Sequence, residues 1–126
     1  MNFDGTDDIV AIPSSPTLSN YGLKSFTLES WVNPTNVTGV FSIFRKDGDY
    51  NLYIENGILK AEVFTNGGTG GPFTKKISTS SINTNVWTHV AAVWNGTSYK
   101  LFINGTDVTG SSSTGTSATT SSLYIG

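Results

Sequence analysis

Between positions 45 and 53 the chain reads Arg45, Lys46, Asp47, Gly48, Asp49, Tyr50, Asn51, Leu52, Tyr53, so forked polar groups alternate with phenol rings around a glycine turn. That mixture suits recognition of a sugar. Ring faces cover the C–H side of a pyranose, while Asp, Asn and Arg each reach two adjacent hydroxyls. Arg45, Asp47, Asp49, Tyr50, Asn51 and Tyr53 are therefore candidate ligand-binding residues. Phe73 joins them: it follows Pro72 and a glycine-rich stretch, which makes it the best candidate for an exposed aromatic. A plainer reading fits the same residues, with Tyr50 and Tyr53 as ordinary amphipathic strand positions and Arg45 paired with Asp47 or Asp49.

Asp4, Asp7 and Asp8 bracket Gly5 and supply hard oxygen donors of the kind calcium takes. Alternatively, Asp4-Gly5 and Asp7 cap a tight turn through Asx-type hydrogen bonds. His89 is the only histidine, so a Ser-His-Asp arrangement has to be built around it. Flanked by Thr88 and Val90 in an alternating run, it is expected to lie buried, with its ring nitrogens hydrogen-bonded and a structural role. There is no cysteine, hence neither a disulfide framework nor a thiolate nucleophile.

The elements that position these groups are read from alternation and turn chemistry. In WTHVAAVWNGTSYKLFING, residues 87–105, two alternating runs are hinged at Asn95-Gly96 and stopped by Asn104-Gly105. Asn-Gly tolerates positive φ at both central positions of a type I′ turn, so Asn95-Gly96 predicts a two-residue hairpin. Trp87, His89, Ala91 and Val93 share one face, and Thr88, Val90, Ala92 and Trp94 the other. Both faces are largely apolar, which predicts a strand inside a layered sandwich. Trp31, Trp87 and Trp94 each fall in an alternating strand and are expected in the core.

Strand-like runs recur near 8–12, 25–33, 40–46, 50–55, 58–64, 73–79, 87–94, 98–103 and 121–125, with turns at Asp47-Gly48, Asn56-Gly57, Asn66-Gly67-Gly68, Asn95-Gly96 and Asn104-Gly105. The Gly/Ser/Thr-rich stretches 65–71 and 109–122 are too poor in apolar residues to pack and are read as exposed loops. The prediction is an all-β protein, an antiparallel β-sandwich. With 126 residues, 37% of them hydrophobic, the chain has room for one domain, 1–126, around one core. Only 13% of residues are charged and the net charge is −2, which excludes a basic surface for nucleic acid. No apolar run is long enough for membrane insertion. The sequons at Asn36, Asn95 and Asn104 are read as coincidence in a Thr-rich β protein.

Taken in order, FDGTDDIVAIP at 3–13, SFTLESWVNP at 25–34, IFRKDGDYNLYIENGILKAEV at 43–63, NTNVWTHVAAVWNGTSYKLFING at 83–105 and LYIG at 123–126 resemble the laminin-G-like domains of the concanavalin A-like lectin and glucanase superfamily. The resemblance implies a jelly roll whose concave face and loops bind sugars or protein partners, and often a structural calcium near the first strand. It also implies a further strand after LYIG, which this sequence lacks; the expected result is an open edge favouring a homodimer or a partner strand.

Glucanases of this superfamily place two carboxylates on one strand, and none of Glu29, Glu55 and Glu62 has an acidic same-face partner on its own run. The expectation is a noncatalytic carbohydrate-binding or adhesion module of a secreted, cell-surface or virion protein, with a glycan as partner. The competing expectation is a structural or protein-interaction domain that self-associates through the open edge.

Overall fold

The computed structural model describes residues 3, 8–19, 24–65, 71–117 and 123–125. Within them, eleven strands form two antiparallel sheets and the one helical segment is a 3-10 turn at Pro16–Leu18. The strands are β1 (Val10–Ile12), β2 (Phe26–Val32), β3 (Val40–Lys46), β4 (Tyr50–Glu55), β5 (Ile58–Phe64), β6 (Gly71–Ser81), β7 (Thr88–Trp94), β8 (Tyr99–Ile103), β9 (Thr106–Asp107), β10 (Thr109–Ser117) and β11 (Leu123–Ile125). The larger sheet has the order β1-β11-β3-β4-β5-β6-β10, and the smaller β2-β7-β8-β9. The expected sandwich is present.

Alternation builds the core between the sheets. Leu52 and Ile54 of β4 and Leu59, Ala61 and Val63 of β5 face Val90, Ala92 and Trp94 of β7 and Tyr99 and Leu101 of β8, all of them buried. The intervening residues of β4 and β5 point outward. This parity decides which face of the large sheet carries functional groups.

Turn chemistry fixes the register. Asn56 and Gly57 have φ of 50° and 80°, both positive, so a two-residue turn joins β4 to β5 with Glu55 opposite Ile58. Asn104-Gly105 behaves likewise, with Ile103 opposite Thr106. Asn95-Gly96 does not. Trp94 pairs with Tyr99, leaving the four residues Asn95 to Ser98 in the loop, where Asn95 Oδ1 accepts the N–H groups of Thr97 and Ser98, both at 2.9 Å. The Asn side chain, rather than a left-handed Asn backbone, turns the chain there.

The segment expected as a loop at 109–122 is corrected for its first part: Thr109–Ser117 is the edge strand β10, paired along β6. Its side chains bury little apolar area, so only the backbone ladder marks it as a strand. The Asn66-Gly67-Gly68 turn and residues 118–122 lie outside the described residues.

At the other end of the smaller sheet, β2 pairs only with β7 among the described residues. Its inward residues Phe26, Leu28 and Val32 are half-buried, whereas their counterparts on β7 are fully covered. Beside them lies a cavity of about 170 Å³ lined by Leu18, Phe26, Leu28, Phe44, Tyr50 and Leu123.

Candidate functional site

On the outward face of the large sheet, register lines up one rung across all seven strands: Ala11, Tyr124, Arg45, Asn51, Glu62, Lys75 and Ser113. Asn51 and Tyr53 are outward on β4, and the Asn56-Gly57 turn brings Glu62 directly beside Asn51. The result is an open basin of about 390 Å³ whose walls include Arg45, Asp47, Asn51, Tyr53, Glu62 and Phe73. Five of the seven residues expected to bind ligand, Arg45, Asp47, Asn51, Tyr53 and Phe73, therefore converge.

Asp49 and Tyr50 do not belong to it. Tyr50 has the opposite parity to Asn51 and packs its ring into the core at 3% exposure, 5.6 Å from the Phe26 ring. Asp49 is wholly buried beneath the β3–β4 turn, where its carboxylate lies 3.5 Å from the ammonium of Lys46, itself 3% exposed. Both are part of the fold.

Glu62, which the sequence alone did not assign to this site, organises the basin floor. Its carboxylate accepts hydrogen bonds from Asn51 Nδ2 at 3.1 Å and from the Tyr53 hydroxyl at 2.9 Å, and meets Lys75 Nζ at 2.9 Å. Its carbonyl accepts from the buried Tyr99 hydroxyl at 3.0 Å, which ties the floor to the opposite sheet. Burial, reinforced by the charge of Glu62, pushes the Tyr53 phenol up to about 12. Burial alone works to lower Lys75, but its bonds to Glu62 and Tyr53 outweigh that and hold its ammonium at about 12. Both groups are thus protonated donors through the neutral range.

At the rim, Arg45 holds Asp47 in a two-pronged ion pair, Nε to Oδ1 at 2.8 Å and a terminal nitrogen to Oδ2 at 3.0 Å. The plainer reading of Arg45 is thus correct for its resting partner, and both groups still border the basin. Among the described residues, Asn51 Oδ1 is buried with no hydrogen-bond partner, as is Trp94 Nε1 in the core; unfulfilled buried polar atoms of this kind are few in folded proteins.

Phe73 is half-buried rather than exposed. Its ring packs 5.4 Å from that of Phe64 and lies over Gly115 of β10, where any Cβ would overlap it. Lys75 Nζ sits 5.8 Å from the Phe73 ring and 5.9 Å from that of Tyr53, so ammonium and aromatic faces share the floor.

As expected, Glu55 and Glu62 stand on different strands, β4 and β5, but both face outward and line the basin. They are separated by four residues of register, roughly 13 Å along the strands. Glycoside hydrolysis needs about 5 to 9.5 Å. Glu55 is paired with Lys60, whose ammonium pulls its carboxyl below the usual range.

Of the residues expected to hold calcium, Asp4 and Asp7 lie outside the described residues and Asp8 is exposed. Among the described residues no three carboxylate or histidine side chains come together to hold a metal ion, so no metal centre is built from them.

His89 is also not buried. It sits on the outer face of the smaller sheet, about a quarter exposed, with Nε2 3.7 Å from Glu29 and its ring 5.4 Å from the Trp31 ring. Trp31 and Trp87, expected in the core, are exposed at 63% and 65%; only Trp94 is buried.

A sandwich of a seven-stranded and a four-stranded antiparallel sheet is consistent with a concanavalin A-like jelly roll. Residues 4–126 match a laminin G-like family, described as the concanavalin A-like lectin/glucanases superfamily, and the chain belongs to that family. Among curated proteins, none matches it.

Proposed function

We propose that the protein is a noncatalytic carbohydrate-binding module of a secreted, cell-surface or virion protein, and that it holds a glycan in the basin on the large sheet. The observation that carries this reading is the shared concavity of Arg45, Asp47, Asn51, Tyr53 and Phe73, over a floor that Glu62 and Lys75 hold in place. A sugar ring stacks on Phe73 or Tyr53 while its hydroxyls bond the rim pair and Asn51. Family membership supports carbohydrate binding or adhesion at the level of the superfamily. The pairing of Asp47, Glu55 and Glu62 with cations supports a binding role over hydrolysis.

Titration calorimetry against a glycan panel tests this. Wild-type protein binds at least one glycan, and Asn51→Ala with Tyr53→Ala weakens that binding about tenfold, a loss of roughly 1.4 kcal/mol. Equal binding by wild type and the double variant removes the basin as the site. Calcium is not required at the basin on this reading, so EDTA leaves the affinity unchanged in the same titration.

A second reading, a protein-interaction domain that self-associates, is favoured by one observation: the free side of β2 and the apolar cavity beside it among the described residues. An added strand there would complete the ladder and cover Phe26, Leu28 and Phe44. Sedimentation over a range of concentrations separates the readings, since dimerisation without any glycan response supports the second alone.

A further inference from the structure

The outer face of the smaller sheet carries a second set of groups that the basin does not use. Trp31 on β2 stands opposite His89 on β7, and Trp87, exposed and one residue ahead of β7, precedes His89 by two residues. Extending the register by that residue makes Trp87 a diagonal neighbour of Trp31, roughly 7–8 Å away and within reach of one extended ligand. Both indoles are largely open, and Glu29, two-thirds exposed, leaves its carboxylate 3.7 Å from His89 Nε2.

Exposed tryptophan on a sheet face is costly to leave in water and calls for an occupant. The size of the patch argues against a protein. An indole buries roughly 150–250 Å² when fully covered, so two partly open ones, even with half-exposed Val86 beside Trp87, fall well below the roughly 800 Å² per partner of a stable interface. Polar groups border them: Glu29 and His89 stand on this face beside Trp31, and Thr27 and the exposed Lys100–Asp107 pair lie farther along it, past Ala91, Val93 and Phe102. Small apolar plates set among hydrogen-bonding groups match the alternating C–H and hydroxyl faces of a sugar chain.

We propose that Trp31 and Trp87 form a second glycan-binding platform, which stacks successive pyranose rings of a β-linked chain. Glu29 and His89 bond the hydroxyls at the ring edges. The imidazole against Trp31 holds that indole in place, and Glu29 in turn steadies the imidazole. The platform is independent of the basin and faces the opposite way.

The test uses a basin-weakened protein, Asn51→Ala with Tyr53→Ala, and soluble cellohexaose and chitohexaose as probes. At saturation one of the two sugars shields the exposed indoles from acrylamide quenching, while the buried Trp94 contributes an unchanged background. Trp31→Ala and Trp87→Ala, each added to that protein, weaken the affinity measured by calorimetry about tenfold, equivalent to roughly 1.4 kcal/mol. Their thermal melts stay unchanged, because both side chains lie on the surface.

Absence of shielding by either sugar overturns the proposal, as does undiminished affinity in both tryptophan variants. So does sugar-free dimerisation in sedimentation that either tryptophan substitution abolishes, which assigns the patch to a second copy of the chain. None of these outcomes touches the basin, whose own binding is read in protein with Asn51 and Tyr53 intact.

Discussion

At the scale of single residues, Glu62 and Asp49 illustrate two uses of a carboxylate. Glu62 gathers three donors toward the solvent side, so Glu62→Gln leaves an amide N–H facing one of them and costs about 1–3 kcal/mol. Urea denaturation reads that loss, and titration reads an accompanying fall in glycan affinity. Asp49 instead neutralises Lys46 inside the protein. Asp49→Ala strands a buried ammonium and costs about 3–5 kcal/mol, while Lys46→Met with Asp49→Leu restores most of it, as measured by the same denaturation.

Much of this was legible. Period-two alternation places Asn51 and Tyr53 together and by the same rule excludes Tyr50, a signal that the mixed composition of the run obscured. Glu62 was also within reach, since a two-residue Asn56-Gly57 turn sets Glu55 opposite Ile58 and therefore Asn51 opposite Glu62. Asp49 was not, because a turn residue has no strand phase to follow.

At the scale of elements, the least legible strand is β10. Its sequence, TGSSSTGTS, contains no apolar residue, so hydrophobic alternation is silent and only the pairing to β6 reveals it. It nonetheless shapes the site, because Gly115 leaves room for the Phe73 ring. Gly115→Val drives that ring from its place and destabilises the protein by about 1–3 kcal/mol, with a matching loss of glycan binding; thermal unfolding and calorimetry check the two effects.

The outward placement of Trp87 was ambiguous from its own run, 87–94, where both faces are apolar. The neighbouring strand resolves it. Glu29 shares parity with Trp31 on β2, and a carboxylate on that face turns it to water. Trp31 opposes His89, so the orientation of β2 passes to β7 through register.

At the scale of the whole molecule, the two sheets are tied together by the apolar core and by the Tyr99 hydroxyl reaching the Glu62 carbonyl. Stability therefore follows the protonation of the basin floor at alkaline pH. Tyr53 and Lys75 have folded values of about 12, above their ordinary 10.0 and 10.5, so their contribution is complete below about pH 10. It is lost as pH rises toward 12. Thermal melts should hold steady from neutral pH to about 10 and fall beyond it. A fall that begins near neutrality contradicts the arrangement of Glu62, Tyr53 and Lys75.

The basin and the indole pair look away from each other across the thickness of the sandwich. On the proposed reading of both faces, a single copy acts as a rivet, clasping one polymer strand on each side and tying fibres into a mesh without first pairing with another copy. That reading predicts thickening of a polysaccharide suspension even at dilutions where the protein remains monomeric, and loss of the thickening when either side alone is disabled.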